Sequence, residues 1–169
     1  MKRLLVLIPL MSLLLVSCAG YQLGGSKPSH LAHVKSIQVP LFINDTQITR
    51  ADAYATNSAV DALTRDGTYR IGSADSADAV LEGVVESVKY SQFRSARNDT
   101  LRSEELSMDL TIKWVLRDAS TSRILEQGES RGATRFFAGG NLEIARTNAL
   151  PDALSRACEN MTSRLADGF

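Results

Sequence analysis

Two groups of arginines interleaved with aromatic residues carry the clearest chemical potential in this sequence: Tyr90, Phe93, Arg94, Arg97 and Arg102 in one, Arg131, Arg135, Phe136, Phe137 and Arg146 in the other. A guanidinium fork grips a phosphate through two hydrogen bonds while neighbouring rings cover acyl or sugar surface, so the pattern suits an amphiphilic, phosphate-bearing ligand. The plainer reading pairs Arg97 with Asp99, and Arg102 with Glu104 or Glu105, as solvated ion pairs of little energetic weight. Catalytic constellations are harder to assemble. There is no Gly-x-Ser-x-Gly elbow, phosphate loop or Gly-x-Gly-x-x-Gly. Glu82/Glu86 and Glu104/Glu105 come nearest to an acid and base pair, but nothing around them suggests the burial that raises one carboxyl's pKa. His30 and His33 lack the third protein ligand that a zinc site needs. Cys158 falls on an apolar helical stripe and reads as a small packed hydrophobe. No catalytic residue, metal or cofactor is therefore expected.

A different chemistry belongs to Cys18. Lys2 and Arg3 precede an apolar run from Leu4 to Val16, broken by Pro9 and Ser12, which is shorter than the roughly 20 residues that span a bilayer. Leu15-Val16-Ser17-Cys18 matches the bacterial lipobox, in which the thiol takes a diacylglycerol and cleavage leaves the cysteine as the first residue. Residues 1–17 are thus expected to be a signal peptide and Cys18 a lipid anchor to the membrane. Ala19, in place of the aspartate associated with inner-membrane retention, points to outer-membrane sorting. What remains is about 150 residues, enough for one core, and slightly acidic because the signal removes only bases, so no basic field draws nucleic acid. With Cys18 acylated, Cys158 has no intramolecular partner.

The elements that must position these groups follow from periodicity. Residues 18–33, rich in Gly, Ser and Pro, read as a lipidated tether, and residues 34–169 as a single domain. Val34 to Leu41 alternates as a first strand, Asn44-Asp45-Thr46 turns, and Thr49-Arg50-Ala51-Asp52 resembles a capping box opening a helix whose inward face is Ala53, Thr56, Val60 and Leu63, stopped by Gly67. Tyr69 to Ile71 is a short extended piece. Ala79 to Tyr90 is a second strand with Gly83 as the place for a bulge. In the third, Leu106, Met108, Leu110, Ile112, Trp114 and Leu116 share one parity, and Ser107, Asp109, Thr111, Lys113 and Arg117 the other, with Val115 as the exception. Such a strand has one dry and one wet face. Ile124 to Phe137 is a weaker strand diluted by Gly128 and Gly132. The last helix is capped by Asn141, should be kinked by Pro151 or have its second half opened by it, buries Leu150, Leu154, Ala157/Cys158, Met161 and Leu165, and closes at Gly168. The expected fold is α+β: a two-layer sandwich in the order β-α-β-β-β-α, with two helices on one face of a four-stranded mixed sheet and the other face polar. Antiparallel third and fourth strands would return the chain toward the end where Arg94 lies, bringing Arg146 there.

Cys18 followed by Gly20-Tyr21-Gln22-Leu23-Gly24-Gly25, then Phe42-Ile43-Asn44-Asp45-Thr46, then Ala77-Asp78-Ala79-Val80-Leu81-Glu82-Gly83, resembles the LptE family of lipopolysaccharide-assembly lipoproteins across nearly the whole mature chain. The resemblance implies a two-helix, four-stranded sandwich. It also implies a non-enzymatic outer-membrane lipoprotein that plugs the LptD-type barrel, on its periplasmic side or inside its lumen, and assists lipopolysaccharide insertion into the outer leaflet. Arg94 and Arg146 look like the family's basic lipopolysaccharide-contacting positions, with Arg97, Arg135 and Phe93 beside them as further candidates. The same motifs are also similar to periplasmic lipoproteins that activate cell-wall synthases or assemble secretion pores, which would share the sandwich and bind a different partner.

Overall fold

The alternating stretch becomes the middle of a sheet. In the computed structural model, which describes residues 27–94 and 104–168, it is strand β5 (Glu104–Asp118), paired antiparallel with β4 (Ala79–Arg94) on one side and β6 (Ile124–Ala138) on the other. Three shorter strands complete the sheet: β1 (Ser36–Gln38), β2 (Ile43–Asn44) and β3 (Arg70–Ile71), in the order β3-β1-β4-β5-β6, with β2 also on β4. Helix α1 (Ala51–Asp66) and helix α2 (Leu142–Asp167) cover one face. The architecture is the α+β sandwich expected, but the sheet has six strands, not four. Part of the difference lies at Pro40, which has no N–H for a ladder: the predicted strand from Val34 to Leu41 is cut to β1, and pairing resumes beyond it as β2, where the turn was expected to begin, both parallel to β4. The remainder is Arg70–Ile71, which adds to the edge of β1 in parallel.

Helix α1 is rotated from its predicted phase. Ala51, Ala55, Ala59, Ala62 and Leu63 are buried, whereas Ala53, Thr56 and Val60 are only half-buried. Small side chains let α1 approach α2 closely enough for the Cys158 Sγ to lie 3.7 Å from the Ala55 carbonyl. The proposed capping box is not made either: the residue before the helix is Arg50, left-handed at φ 65°, with no side-chain cap. Gly67 and Gly168 end their helices in the left-handed conformation, and the Asn141 side chain accepts from the amides of Glu143 and Ile144. Pro151 neither starts nor breaks α2, which runs through it.

Strand glycines serve close packing. Gly83 forms no bulge; a Cβ there would lie 2.3 Å from the Phe42 ring. The β4 register shifts instead between Val85 and Ser87 and between Gln92 and Arg94. Gly128 makes room for Trp114 and Gly132 for the backbone of α2. Part of the segment ahead of Val34 packs on the domain: Leu31, in a 3-10 turn over Ser29–Leu31, is fully buried, and His30 meets Glu126 at 2.7 Å.

The two motifs that carried the family resemblance within the domain turn out to brace each other. Phe42 packs on Gly83, and Asn44 organises its turn by accepting from Thr46 and donating to Ile48. Asp78 accepts from the Lys35 and Ser36 amides and from the Ser36 hydroxyl, each at 2.9 Å, tying the start of β1 to that of β4. The Lys35 amide first, then the Ser36 hydroxyl, hold its carboxyl below the usual range. A depressed folded pKa means that ionised Asp78 stabilises the fold at neutral pH, and that this contribution fades below about pH 4. Asp78→Asn is therefore expected to be less stable at neutral pH by about 1 kcal/mol or less, since water competes at an exposed site, and the gap should close in acid. Denaturant midpoints across the acid range check it.

Candidate functional site

The end of the sandwich opposite the start of β4 gathers aromatic and basic side chains from three elements. Tyr90 comes from β4 on the helix-facing parity, opposite Met108, and Phe136 from β6, opposite Leu106. Their rings meet edge to face at 6.4 Å and 82°. The first turns of α2 bring Arg146 over them, its guanidinium 4.4 Å from the centre of the Tyr90 ring, a distance at which the ring's negative face attracts the cation. Glu143 lies 3.6 Å from Arg146, while the buried Arg146 Nε has no hydrogen-bond partner among the described residues. Burial raises the Tyr90 hydroxyl above its ordinary pKa, and the Arg146 charge works against that rise. At the same end of the domain Leu142 and Ile144, in the first turn of α2, are 37% and 57% exposed, and Phe137 is 64% exposed in the row of β6 that faces away from Tyr90. This end is amphiphilic: a half-buried cation stacked on an aromatic pair, with exposed apolar side chains at the start of α2.

The other sequence candidates are distributed differently. Arg94 ends β4 opposite Glu105, in the cross-strand row that continues to Phe137, so its backbone stands at the same end of the sheet as Arg146 but in a row of opposite parity to that of Tyr90. Phe93 occupies the register shift next to it. Arg135 is opposite Ser107 and lines a polar groove of about 610 Å³ with Thr134, Asp152 and Arg156, away from the Tyr90 ring. Arg131 pairs with Glu129 at 2.9 Å. Cys18, Arg97 and Arg102 lie outside the described residues.

The carboxylates considered as an acid and base pair are engaged across strands: Glu82 with Arg117 at 2.8 Å, and Glu86 with Lys113. Cys158 is fully buried, and burial pushes its thiol up to about 12, so it stays protonated and inert. Among the described residues no group of three His, Cys, Asp or Glu could hold a metal ion, and no helix is long and apolar enough to cross a membrane. Sequence reasoning missed Leu142 and Ile144 as exposed apolar side chains at the start of α2. Their position in the first turn, ahead of the buried stripe that begins at Ala149, was the available signal.

Comparison with known proteins adds one family. The family model described as LptE, lipopolysaccharide-assembly, matches residues 34–167. A search of curated proteins returned no match. Among solved structures, a hemagglutinin homolog from Helicobacter pylori is 12% identical, with 88% of this chain and 90% of that chain covered and a TM-score of 0.53. A PelC dodecamer from Paraburkholderia phytofirmans (17% identity, 81% and 93% covered, TM-score 0.49) and a minor lipoprotein from Acinetobacter baumannii (16%, 78% and 90%, 0.49) are also similar. At such identities the Helicobacter structure shows a shared fold and nothing more.

Proposed function

Because the chain belongs to the LptE lipopolysaccharide-assembly family, we propose that it is a non-enzymatic lipoprotein of the outer membrane, anchored through lipid on Cys18, with an LptD-type barrel as its partner and lipopolysaccharide as its ligand. In this reading it plugs the barrel and assists insertion of the glycolipid into the outer leaflet. The observation that carries the ligand assignment is the half-buried Arg146 guanidinium held on the Tyr90 ring beside Phe136, with Leu142 and Ile144 exposed in the same first turns of α2. A phosphorylated, acylated glycolipid offers both halves of what that surface lacks: an acceptor for the guanidinium and apolar surface for the side chains. Arg94 is the second cation in the proposal, its backbone standing at the same end of the sheet.

The test uses one tagged protein recovered from detergent-solubilised outer membrane, native and as the double variant Arg94→Gln with Arg146→Gln. Glutamine is chosen because Arg146 is packed on Tyr90 and beside Glu143, where an aspartate would add repulsion to the lost ring contact. Two charge-assisted hydrogen bonds of about 1.5 to 3 kcal/mol each predict a fall in lipopolysaccharide affinity of at least about tenfold, with the barrel still recovered and circular dichroism unchanged. Unchanged affinity removes the arginine site. Absence of a barrel from the native preparation removes the partner.

A further inference from the structure

The sheet face away from the helices is divided. Toward the ends of β4 and β6 it carries Ser87, Lys89, Asp109, Thr111 and Arg131, as the polar face expected from sequence. Nearer the start of β4 it does not. Val84 and Val115 are half-buried there, and beside them Leu41 and Ile43 are 64% and 60% exposed. Both flank Phe42, whose side chain is buried against Gly83, and Ile43 stands opposite Val84 in the β2–β4 register. Val115, the exception in the alternation of β5, is part of this aliphatic patch. Charged side chains are interleaved with it, Glu82 opposite Val115 and Lys113 opposite Val84, and they are compensated within the face, Glu82 by Arg117 and Lys113 by Glu86.

This half is also where the N-terminal segment joins the domain. Lys27 donates to the Val34 carbonyl just before β1, and β1 pairs with the first residues of β4. From Cys18 to Lys27 the chain can extend no more than about 30 Å, so lipid on Cys18 holds this end close to a bilayer. The Arg146 site lies far along β4, a strand of 16 residues that spans about 50 Å. We infer that Leu41 and Ile43 form a membrane-contact edge, and that a lipid bilayer surface is the partner of the anchor-proximal half of this face. The inference rests on acylation at Cys18. A polar barrel lumen suits the remainder of the face but not two protruding aliphatics. With the interleaved charges paired, contact through the protruding Leu41 and Ile43 requires no anionic headgroup, and the anchor makes even a weak contact effective by keeping the local lipid concentration high.

The test is spin-label accessibility on the full-length, lipidated protein in vesicles of phosphatidylcholine and phosphatidylethanolamine. Labels are placed at Ile43→Cys and, separately, at Thr111→Cys on the polar half; Cys158 is fully buried and stays unlabelled. The label at position 43 is expected to relax with oxygen, which partitions into the bilayer, and to lose access to a water-soluble nickel chelate; the label at 111 should show the reverse. A label at 43 as open to nickel as that at 111 overturns the inference while leaving acylation intact. Shielding from both reagents means that protein covers the edge, and overturns it equally. A protein that does not float with the vesicles defeats the acylation and the membrane edge together.

Discussion

Trp114→Ala is expected to lower the unfolding free energy by about 3 to 5 kcal/mol, the range for removing a large buried aromatic side chain. The indole is 1% exposed, lies on the dry face of β5 against Gly128, and donates from Nε1 to the Ser130 hydroxyl at 3.0 Å. Truncation removes the transfer free energy of the ring, leaves a cavity that the sheet backbone does not collapse into, and orphans a hydroxyl on a residue only 5% exposed. Against a typical domain stability of about 5 to 15 kcal/mol this is a large fraction. Urea titration measures it. Native tryptophan emission should be blue-shifted and resistant to quenching; red-shifted, readily quenched emission would contradict the burial.

Gly132→Ala is the second large effect, and it comes from adding one methyl group. A Cβ at Gly132 would stand 1.9 Å from the Ala153 carbonyl oxygen and 2.6 Å from the Ala157 amide nitrogen, so it meets helix backbone and not the end of a flexible side chain. Helix α2 can relieve the clash only by lifting off β6, which uncovers Leu150, Leu154 and Met161. The expected loss is about 3 kcal/mol, the upper end for overpacking, and more if α2 shifts as a whole. Gly83→Ala and Gly128→Ala meet the Phe42 and Trp114 rings, which can turn, and should lose less. Gly139→Ala, with nothing within 4 Å, is the control. If all four variants unfold at one denaturant midpoint, α2 does not sit on β6 at this distance.

Family membership was legible in the sequence because its motifs are local. The parity of β5, the buried stripe of α2, the Asn141 cap and the closing glycines at Gly67 and Gly168 were legible for the same reason: a period of two or of 3.6 reports which face is dry without reference to the rest of the chain. The antiparallel order of β4, β5 and β6 also followed, because short connections leave few other routes.

What only the tertiary structure decided depends on residues far apart in sequence. The phase of α1 is set by its approach to α2, which favours alanines over the bulkier Val60 that periodicity alone placed inward. Gly83, Gly128 and Gly132 looked like weak points in strands, and their function is visible only with Phe42, Trp114 and α2 above them. Arg146 read as a ligand-contacting cation grouped with Phe136 and Phe137; that folding stacks it on Tyr90, 56 positions earlier, and buries its Nε was not legible. Leu41 read as the end of the first alternating strand; past the break at Pro40 it is Phe42 that is buried, and Leu41 and Ile43 on either side of it are exposed. Local patterning determines how each element divides into dry and wet, but which dry surface meets which is settled by close packing between distant elements, and with it which polar and apolar groups remain for a ligand or a membrane.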